Sequence, residues 1–438
     1  MTTHELSNIP TAVSAAITKL EQTSIPATAK GFGPYAAQQK LSATSLAGDK
    51  PGLHGGCFSF PLLTLHESAL EHNVRGMADY CAQAGVLFAP HGKTTMSPQL
   101  AARQLAAGAW AISVATMSQL QTYHAFGFPR LLLANELTDP ASIHWLASAL
   151  RSEPDLEVYC YVDSLDGVGI LDHILNHDDP GRTLSVFVEL GHANGRTGAR
   201  SIAEALRVAE AAAATHTLDV IGVTGYEGGL GHHADPHTLE AVRRYCEQLR
   251  SLSMLLTEHG ITHAEPVVSA GGSAFFDVVV DTLTAQQPQP APRVVLRSGA
   301  YITHDHGFYQ EISPTVRHEA APLTLRPALE LWAPVLSRPE PTLAILQMGR
   351  RDVSFDEGLP VPLTIRRRAG NRVDASATQV TGLNDQHGYL KVPAELDLEP
   401  GDLVSLGISH PCTTFDKWPV IAVVDEQDRV INAVHTFF

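Results

Sequence analysis

Positive charge is scarce in this 438-residue chain: 30 Lys plus Arg face 46 Asp plus Glu, a formal net charge of -16. A diffuse electrostatic footprint for nucleic acid or an anionic membrane is therefore missing, and a small molecule is the expected partner. Long apolar runs are missing as well. Nowhere do about 18 apolar residues follow one another, and the opening MTTHELSNIPTAVSAAITKL has no basic segment leading into an apolar core. A cytoplasmic protein without a membrane span is expected. Cysteine is sparse: Cys57, Cys81, Cys160, Cys246 and Cys412 are odd in number, widely spaced and without a CxxC pair, which argues against a disulfide framework. A nucleotide-binding P-loop is also absent. The stretch APHGKTTMSP contains Gly-Lys-Thr, but the glycine that would wrap the phosphate is replaced by Leu87, and Pro90 and His91 stand where bare amides are needed.

With 44% hydrophobic and 17% charged residues, the chain has the profile of a globular protein long enough for two domains. Short apolar runs alternate with helical stretches from about residue 60: PLLTL, VLFAP, AISVA, RLLLAN, LEVYCYV, LSVFVEL, LDVIGVTGY, PVVSA and RVVLR. They are apolar throughout, as parallel strands covered on both faces require, and about eight such units predict a β/α barrel over the competing open doubly wound sheet, since no GxGxxG follows the first strand. In TTMSPQLAARQ, Ser97 is placed to cap a helix whose first residue is Pro98. After about residue 320 the runs become β-rich, with Gly, Pro and Asp breaks and no long helix between them. The expected organisation is a lead-in over residues 1–57, a barrel over 58–320 and a mainly antiparallel β domain over 321–438. The lead-in is expected to contribute to the β domain.

Lys93 lies between a strand end and a helix start, on the rim where barrel enzymes gather reactive groups. A lysine there can be a plain surface residue, or it can form a Schiff base with a carbonyl substrate or with pyridoxal phosphate. VVSAGGS puts Gly271, Gly272 and Ser273 after a strand, either as a simple turn or as amides and a hydroxyl that cradle an anion. Tyr301 is a second phosphate donor or a half-buried barrel tyrosine. Arg196 and Tyr226 end other strands and are either cofactor contacts or structural rim residues. A Schiff-base lysine and a phosphate cup in one barrel together describe a pyridoxal phosphate site. In SHPCTTFDKW, an extended backbone would turn His410 and Cys412 to one face as two zinc ligands with open positions left for water or substrate; the alternative is a metal-free structural pair. His232/His233 and His304/His306 are further ligand candidates in a chain of 22 histidines.

Taken together, PHGKTTMSPQLAARQLAAGAWAISVAT, GRTG, GYEGG, SAGGS, RRDVSFDEG, NDQHG and SHPCTTFDKW resemble the D-serine dehydratase and D-threonine aldolase family of fold-type III pyridoxal phosphate enzymes, from about residue 58 to the end. The resemblance implies an alanine racemase-like barrel with Lys93 holding the cofactor and Gly271, Gly272, Ser273 and Tyr301 holding its phosphate. It implies Arg196 against the ring oxygen, Tyr226 near the cofactor, and His410 and Cys412 binding zinc at the interface of a homodimer. Cys412 resembles the dehydratases more than the aldolases, which tend to carry an acidic residue there. The implied activity is dehydration of D-serine or a related D-β-hydroxy amino acid to a 2-oxo acid and ammonia. D-threonine aldolase, D-threo-3-hydroxyaspartate dehydratase and a non-catalytic pyridoxal phosphate protein are the alternatives.

Overall fold

A computed structural model describes residues 8–285, 291–317 and 323–438. The expected domain boundary at 320/321 lies outside the described residues. Eight parallel strands form the first sheet: β2 (Leu87–Phe88), β3 (Ile112–Val114), β4 (Arg130–Glu136), β5 (Glu157–Val162), β6 (Leu184–Glu189), β7 (Leu218–Thr224), β8 (Val267–Ala270) and β9 (Arg293–Leu296). They run in the order β2-β9-β8-β7-β6-β5-β4-β3. The cylinder is closed where the Trp110 N–H donates to Phe88 O (2.7 Å), the Ser113 N–H donates to Pro90 O (2.9 Å), and His91 bridges Ser113. Apolar side chains on both faces of these strands supply two cores. Leu132, Tyr161, Phe187, Val267 and Val295 fill the lumen, and a larger cluster packs the strands against the helices around them.

Thr116, Asp139, Ser164, Ser201 and Asp235 each accept a hydrogen bond from a first-turn N–H of the helix that follows, so the polar residue before each apolar helix fixes its start. Ser97 does not. It occupies the N-cap position before Pro98, but its hydroxyl makes no cap bond. The backbone at Met96 (φ 42°) is left-handed there, so the helix entry is set by the tight turn Gly92–Thr94 and not by a cap.

The second sheet corrects one expectation. PLLTL is not a barrel strand: β1 (Leu62–His66) lies inside the C-terminal sheet, antiparallel to β10 (Leu329–Glu340) and parallel to β17 (Val420–Val424). A central strand of this sheet is covered on both faces, so it carries the same continuous apolar signature as a barrel strand. Around it lie β12 (Val361–Arg366), β13 (Arg372–Asp374), β16 (Leu403–Gly407) and β18 (Val430–His435) in the order β13-β12-β16-β10-β1-β17-β18. The chain's early part does meet the β domain: Gly52 bridges Arg429, the Leu53 N–H donates to Asp428 O (2.7 Å) and the Val430 N–H donates to Pro51 O (2.8 Å), while the full strand, β1, follows residue 57. Residues 8–50 are helical where regular, over Thr11–Glu21, Gly33–Ala36 and Ala43–Asp49. Among the described residues no helix is long and apolar enough to cross a membrane.

Candidate active site

The C-terminal ends of the barrel strands carry the polar side chains that the lumen excludes. Lys93 sits on the turn Gly92–Thr94 just beyond β2. Gly92 is needed there: a Cβ would approach the Tyr123 hydroxyl to 2.6 Å, and that hydroxyl donates to the Gly92 carbonyl at 2.9 Å. His91 precedes the turn with its Nδ1 shut off from solvent and unpartnered among the described residues. Burial, followed by the charges of Lys93 and Arg297, holds this imidazole well below its usual range, so it is neutral.

Arg297 follows β9 and was not singled out in the sequence. It is buried, donates one N–H to the Tyr161 hydroxyl and another to Gly225 O (2.6 Å), and leaves Nε without a partner. Arg196 lies over the Tyr226 ring, 4.8 Å from its centroid. Its loop is held by Arg200, whose guanidinium donates to the carbonyls of His192, Gly195, Arg196 and Thr197. Three cationic side chains, Lys93, Arg196 and Arg297, thus act on the His91 imidazole.

The residues expected to hold a phosphate make other hydrogen bonds here. The N–H groups of Gly271 and Gly272 are given to the buried Glu227 carboxylate, at 3.1 and 2.6 Å. Gly271 is required by its φ of 97°, and these two amides anchor an acid. The Tyr301 hydroxyl turns away from the rim, accepts from Gln104 Nε2 at 2.9 Å, and packs beside Phe88. It lines a cavity of about 180 Å³ with Val74, Cys81 and Leu87 on the flank of the barrel. Ser273 and the backbone of the turn Ala300–Ile302 lie on the same side. Gly299 lies so close to Thr94 Oγ1 that a Cβ would come within 2.7 Å.

On the opposite side, Glu136 ends β4, Asp163 follows β5 and Glu189 ends β6, with ligand-capable atoms all within 4.8 Å of one another. Burial, then the charge of Glu189, pushes Glu136 up to about 9. The sequence does carry a signal for these residues and for Arg297: each is a charged residue terminating an apolar run, as in RLLLANE, YCYVD, VFVE and VVLR.

The β domain delivers the remaining groups to the same place. His410 and Cys412 do come together, but not through extended backbone. Pro411 is helical (φ -59°, ψ -42°), and Cys412 opens the turn Cys412–Phe415. Cys412 Sγ lies 3.4 Å from Thr94 Oγ1, so the His410–Cys412 pair and the lysine turn meet within a single chain. His410 Nδ1 is 2.7 Å from Asp356 Oδ2. Burial pushes His410 down, but Cys412 and Asp356 outweigh it and raise it to about 9; burial pushes Cys412 up, and His410 and Lys93 bring it below its usual value. The other histidine pairs do not join a ligand cluster. His304 is bonded to Gln310 (3.1 Å), His306 packs against Gly407, and His232 lies beside Phe308. Among the described residues the one group of three ligand-type side chains within reach of an ion is the acid triad.

Residues 65–308 match the alanine racemase N-terminal domain family, and residues 328–424 match the putative serine dehydratase domain family. The chain is similar to the D-threonine aldolase of Arthrobacter sp, 26% identical over 377 residues, covering 85% of this chain and 90% of that one. It is similar to the 3-hydroxy-D-aspartate aldolase of Paracoccus denitrificans, 26% identical over 353 residues, covering 80% and 87%. Among solved structures, D-threonine aldolase from Filomicrobium marinum superposes with a TM-score of 0.72 at 22% identity, covering 86% of this chain and 94% of that chain. D-threo-3-hydroxyaspartate dehydratase from Delftia sp. HT23 gives 0.69 at 21%, covering 86% and 97%. With more than half its length matched, the chain belongs to the alanine racemase-like, fold-type III pyridoxal phosphate family and carries a D-serine dehydratase-like domain behind its barrel.

Proposed function

We propose that the chain is a pyridoxal phosphate and zinc-dependent lyase that dehydrates D-serine or a related D-β-hydroxy amino acid, releasing a 2-oxo acid and ammonia. The observation that carries this reading is the 3.4 Å contact between Cys412 and Thr94, which sets a thiol and imidazole pair beside the lysine turn. The donor set fits both groups. Lys93, Arg196 and Arg297 around a neutral His91, with an orphaned Arg297 Nε, suit an anionic planar cofactor, and an imidazole next to a thiol with lowered pKa suits zinc. When bound, the cofactor supplies an electron sink for the substrate Cα and the metal a Lewis acid for its β-hydroxyl.

The chain's own residues do the rest. Lys93 is placed to hold the cofactor and, once released, to take the Cα proton. Arg196, seated on Tyr226, is placed to orient the ring, with Ser273 and the Ala300–Ile302 turn left for the phosphate. The buried Glu227 fixes the backbone between them. A dehydratase must move the Cα proton and expel hydroxide, and His410 with Cys412 stands where that oxygen leaves. D-threo-3-hydroxyaspartate dehydratase, one of the solved relatives, is also known as a cysteine-to-alanine mutant in a metal-free form. The second reading, an aldolase, is favoured by the sequence relatives named above. It requires a proton to leave the β-hydroxyl, with glycine and an aldehyde as products. A homodimer is part of this proposal, although its metal motif and lysine already meet within one chain.

The decisive experiment assays D-serine, D-threonine and D-threo-3-hydroxyaspartate for ammonia and for glycine plus aldehyde, before and after zinc removal. Ammonia that disappears on chelation and returns with zinc is expected. Glycine without ammonia moves the assignment to the aldolases. Lys93→Ala is expected to abolish the cofactor absorbance and turnover together; retention of both sinks the proposal.

A further inference from the structure

The loop Ser354–Gly358, in the middle of RRDVSFDEG, is stitched to the metal motif by a series of hydrogen bonds. The His410 N–H donates to Ser354 Oγ at 3.1 Å, the Ser354 N–H donates to Thr414 Oγ1 at 3.1 Å, and Ser409 Oγ donates to Gly358 O at 2.5 Å. At its centre Asp356 uses both oxygens: Oδ2 is 2.7 Å from His410 Nδ1, and Oδ1 accepts from Thr413 Oγ1 at 2.7 Å. Thr413 Oγ1 is itself 3.3 Å from His410 Nδ1. A carboxylate that accepts a hydrogen bond from Nδ1 keeps the proton on that nitrogen, so that Nε2 is the nitrogen a divalent cation would take once it displaces the other proton.

We infer that Asp356 is a positioning residue for metal binding: it fixes the tautomer and ring orientation of His410, with Thr413 holding the carboxylate in place, and so sets the affinity of the His410–Cys412 pair for a divalent cation. The inference rests on the metal-dependent reading proposed above. Asp356 is not itself a third ligand in this arrangement, because Asp356, His410 and Cys412 do not form a group with ligand atoms within 4.8 Å of one another. Its side chain is 42% exposed, so its contribution is screened by solvent and belongs at the lower end of what such outer carboxylates provide. The loop is 54 residues from His410 in sequence, which explains why RRDVSFDEG and SHPCTTFDKW occur as separate motifs of one device.

The test uses cofactor-loaded enzyme and measures zinc affinity by competition against a chromophoric chelator. Asp356→Asn is expected to weaken zinc binding about tenfold and Asp356→Ala somewhat more, with Thr413→Val costing a few-fold. The cofactor absorbance should be unchanged in all three, since Asp356 is placed against His410 and not against the lysine turn. Affinities within twofold of the unmutated enzyme for both Asp356 variants overturn the inference while leaving the metal reading intact. An unmutated enzyme that takes up no zinc overturns the metal reading itself. If Asp356→Ala alters the cofactor absorbance or the melting temperature, the isosteric Asp356→Asn decides.

Discussion

The two sides of the barrel mouth are built with opposite charge. Lys93, beyond β2, and Arg297, beyond β9, stand on neighbouring strands, while Glu136, Asp163 and Glu189 close β4, β5 and β6 across the lumen. Tyr161 links them: its hydroxyl receives an N–H from Arg297, and burial pushes it up, with Arg297 pulling it down and Glu189 and Glu136 pushing it up. The difference separates two tasks. The cationic side can receive a phosphorylated, anionic cofactor. The carboxyl side cannot hold three ionised acids in so small a space, so it retains a proton at neutral pH. Placing these demands on opposite walls keeps the acids from neutralising the charges that the cofactor needs.

The comparison breaks most severely at Arg297. Arg297→Leu removes the buried guanidinium and its hydrogen bonds to the Tyr161 hydroxyl and the Gly225 carbonyl. Charge-assisted bonds of this kind contribute about 1.5–3 kcal/mol each, so a stability loss of about 3 kcal/mol and a cofactor affinity lower by roughly 10–100-fold are expected. Urea unfolding and a cofactor titration followed by absorbance check the two effects. Unchanged cofactor affinity in a folded variant would show that this wall does not serve the cofactor.

A second test addresses the carboxyl wall. Glu136 stays protonated in the folded chain up to about 9, whereas the unfolded chain releases the proton near the ordinary value of 4.5. Between those values folding takes up a proton, so its stabilising contribution is complete below about 4.5 and is lost as pH rises towards 9. Glu136→Gln, which cannot ionise, should flatten the fall in melting temperature over this window. Parallel profiles for the two proteins would show that the wall carries no shared proton.

How much of this was legible follows from how local each feature is. Lys93 and the His410–Cys412 pair could be singled out because a few adjacent residues define each motif, and the fold brings the two motifs together. The barrel could be found because parallel strands buried on both faces give continuous apolar runs. The same rule misplaced Leu62–His66, since a central strand in the β domain meets the same demand and nothing in five residues says which sheet it joins. Tyr301 stood near the rim in sequence, but Gln104, 197 residues away, claims its hydroxyl. Gly271 and Gly272 looked like a phosphate cup because glycine pairs expose amides; that Glu227 takes them depends on the packing of β7 against β8. Asp356 was hidden for the same reason, being paired to His410 only through the folded loop.

The smallest expected effect lies at Arg196, which is seated on the Tyr226 ring. Its guanidinium sits 4.8 Å from the Tyr226 ring centroid, and a partly exposed contact of this type is worth about 0.5–1 kcal/mol. Arg196→Ala should therefore weaken cofactor binding by roughly 2–5-fold if Tyr226 serves only to seat the arginine, and by much more if the guanidinium also bears on the cofactor. Tyr226→Phe keeps the ring face and should change little, while Tyr226→Leu should match Arg196→Ala. In the double variant Arg196→Ala/Tyr226→Leu the losses should not add, because each substitution removes the same contact. Additive losses would mean that the two residues act on the cofactor independently, and Tyr226 would then be a cofactor contact in its own right and more than a seat for the arginine.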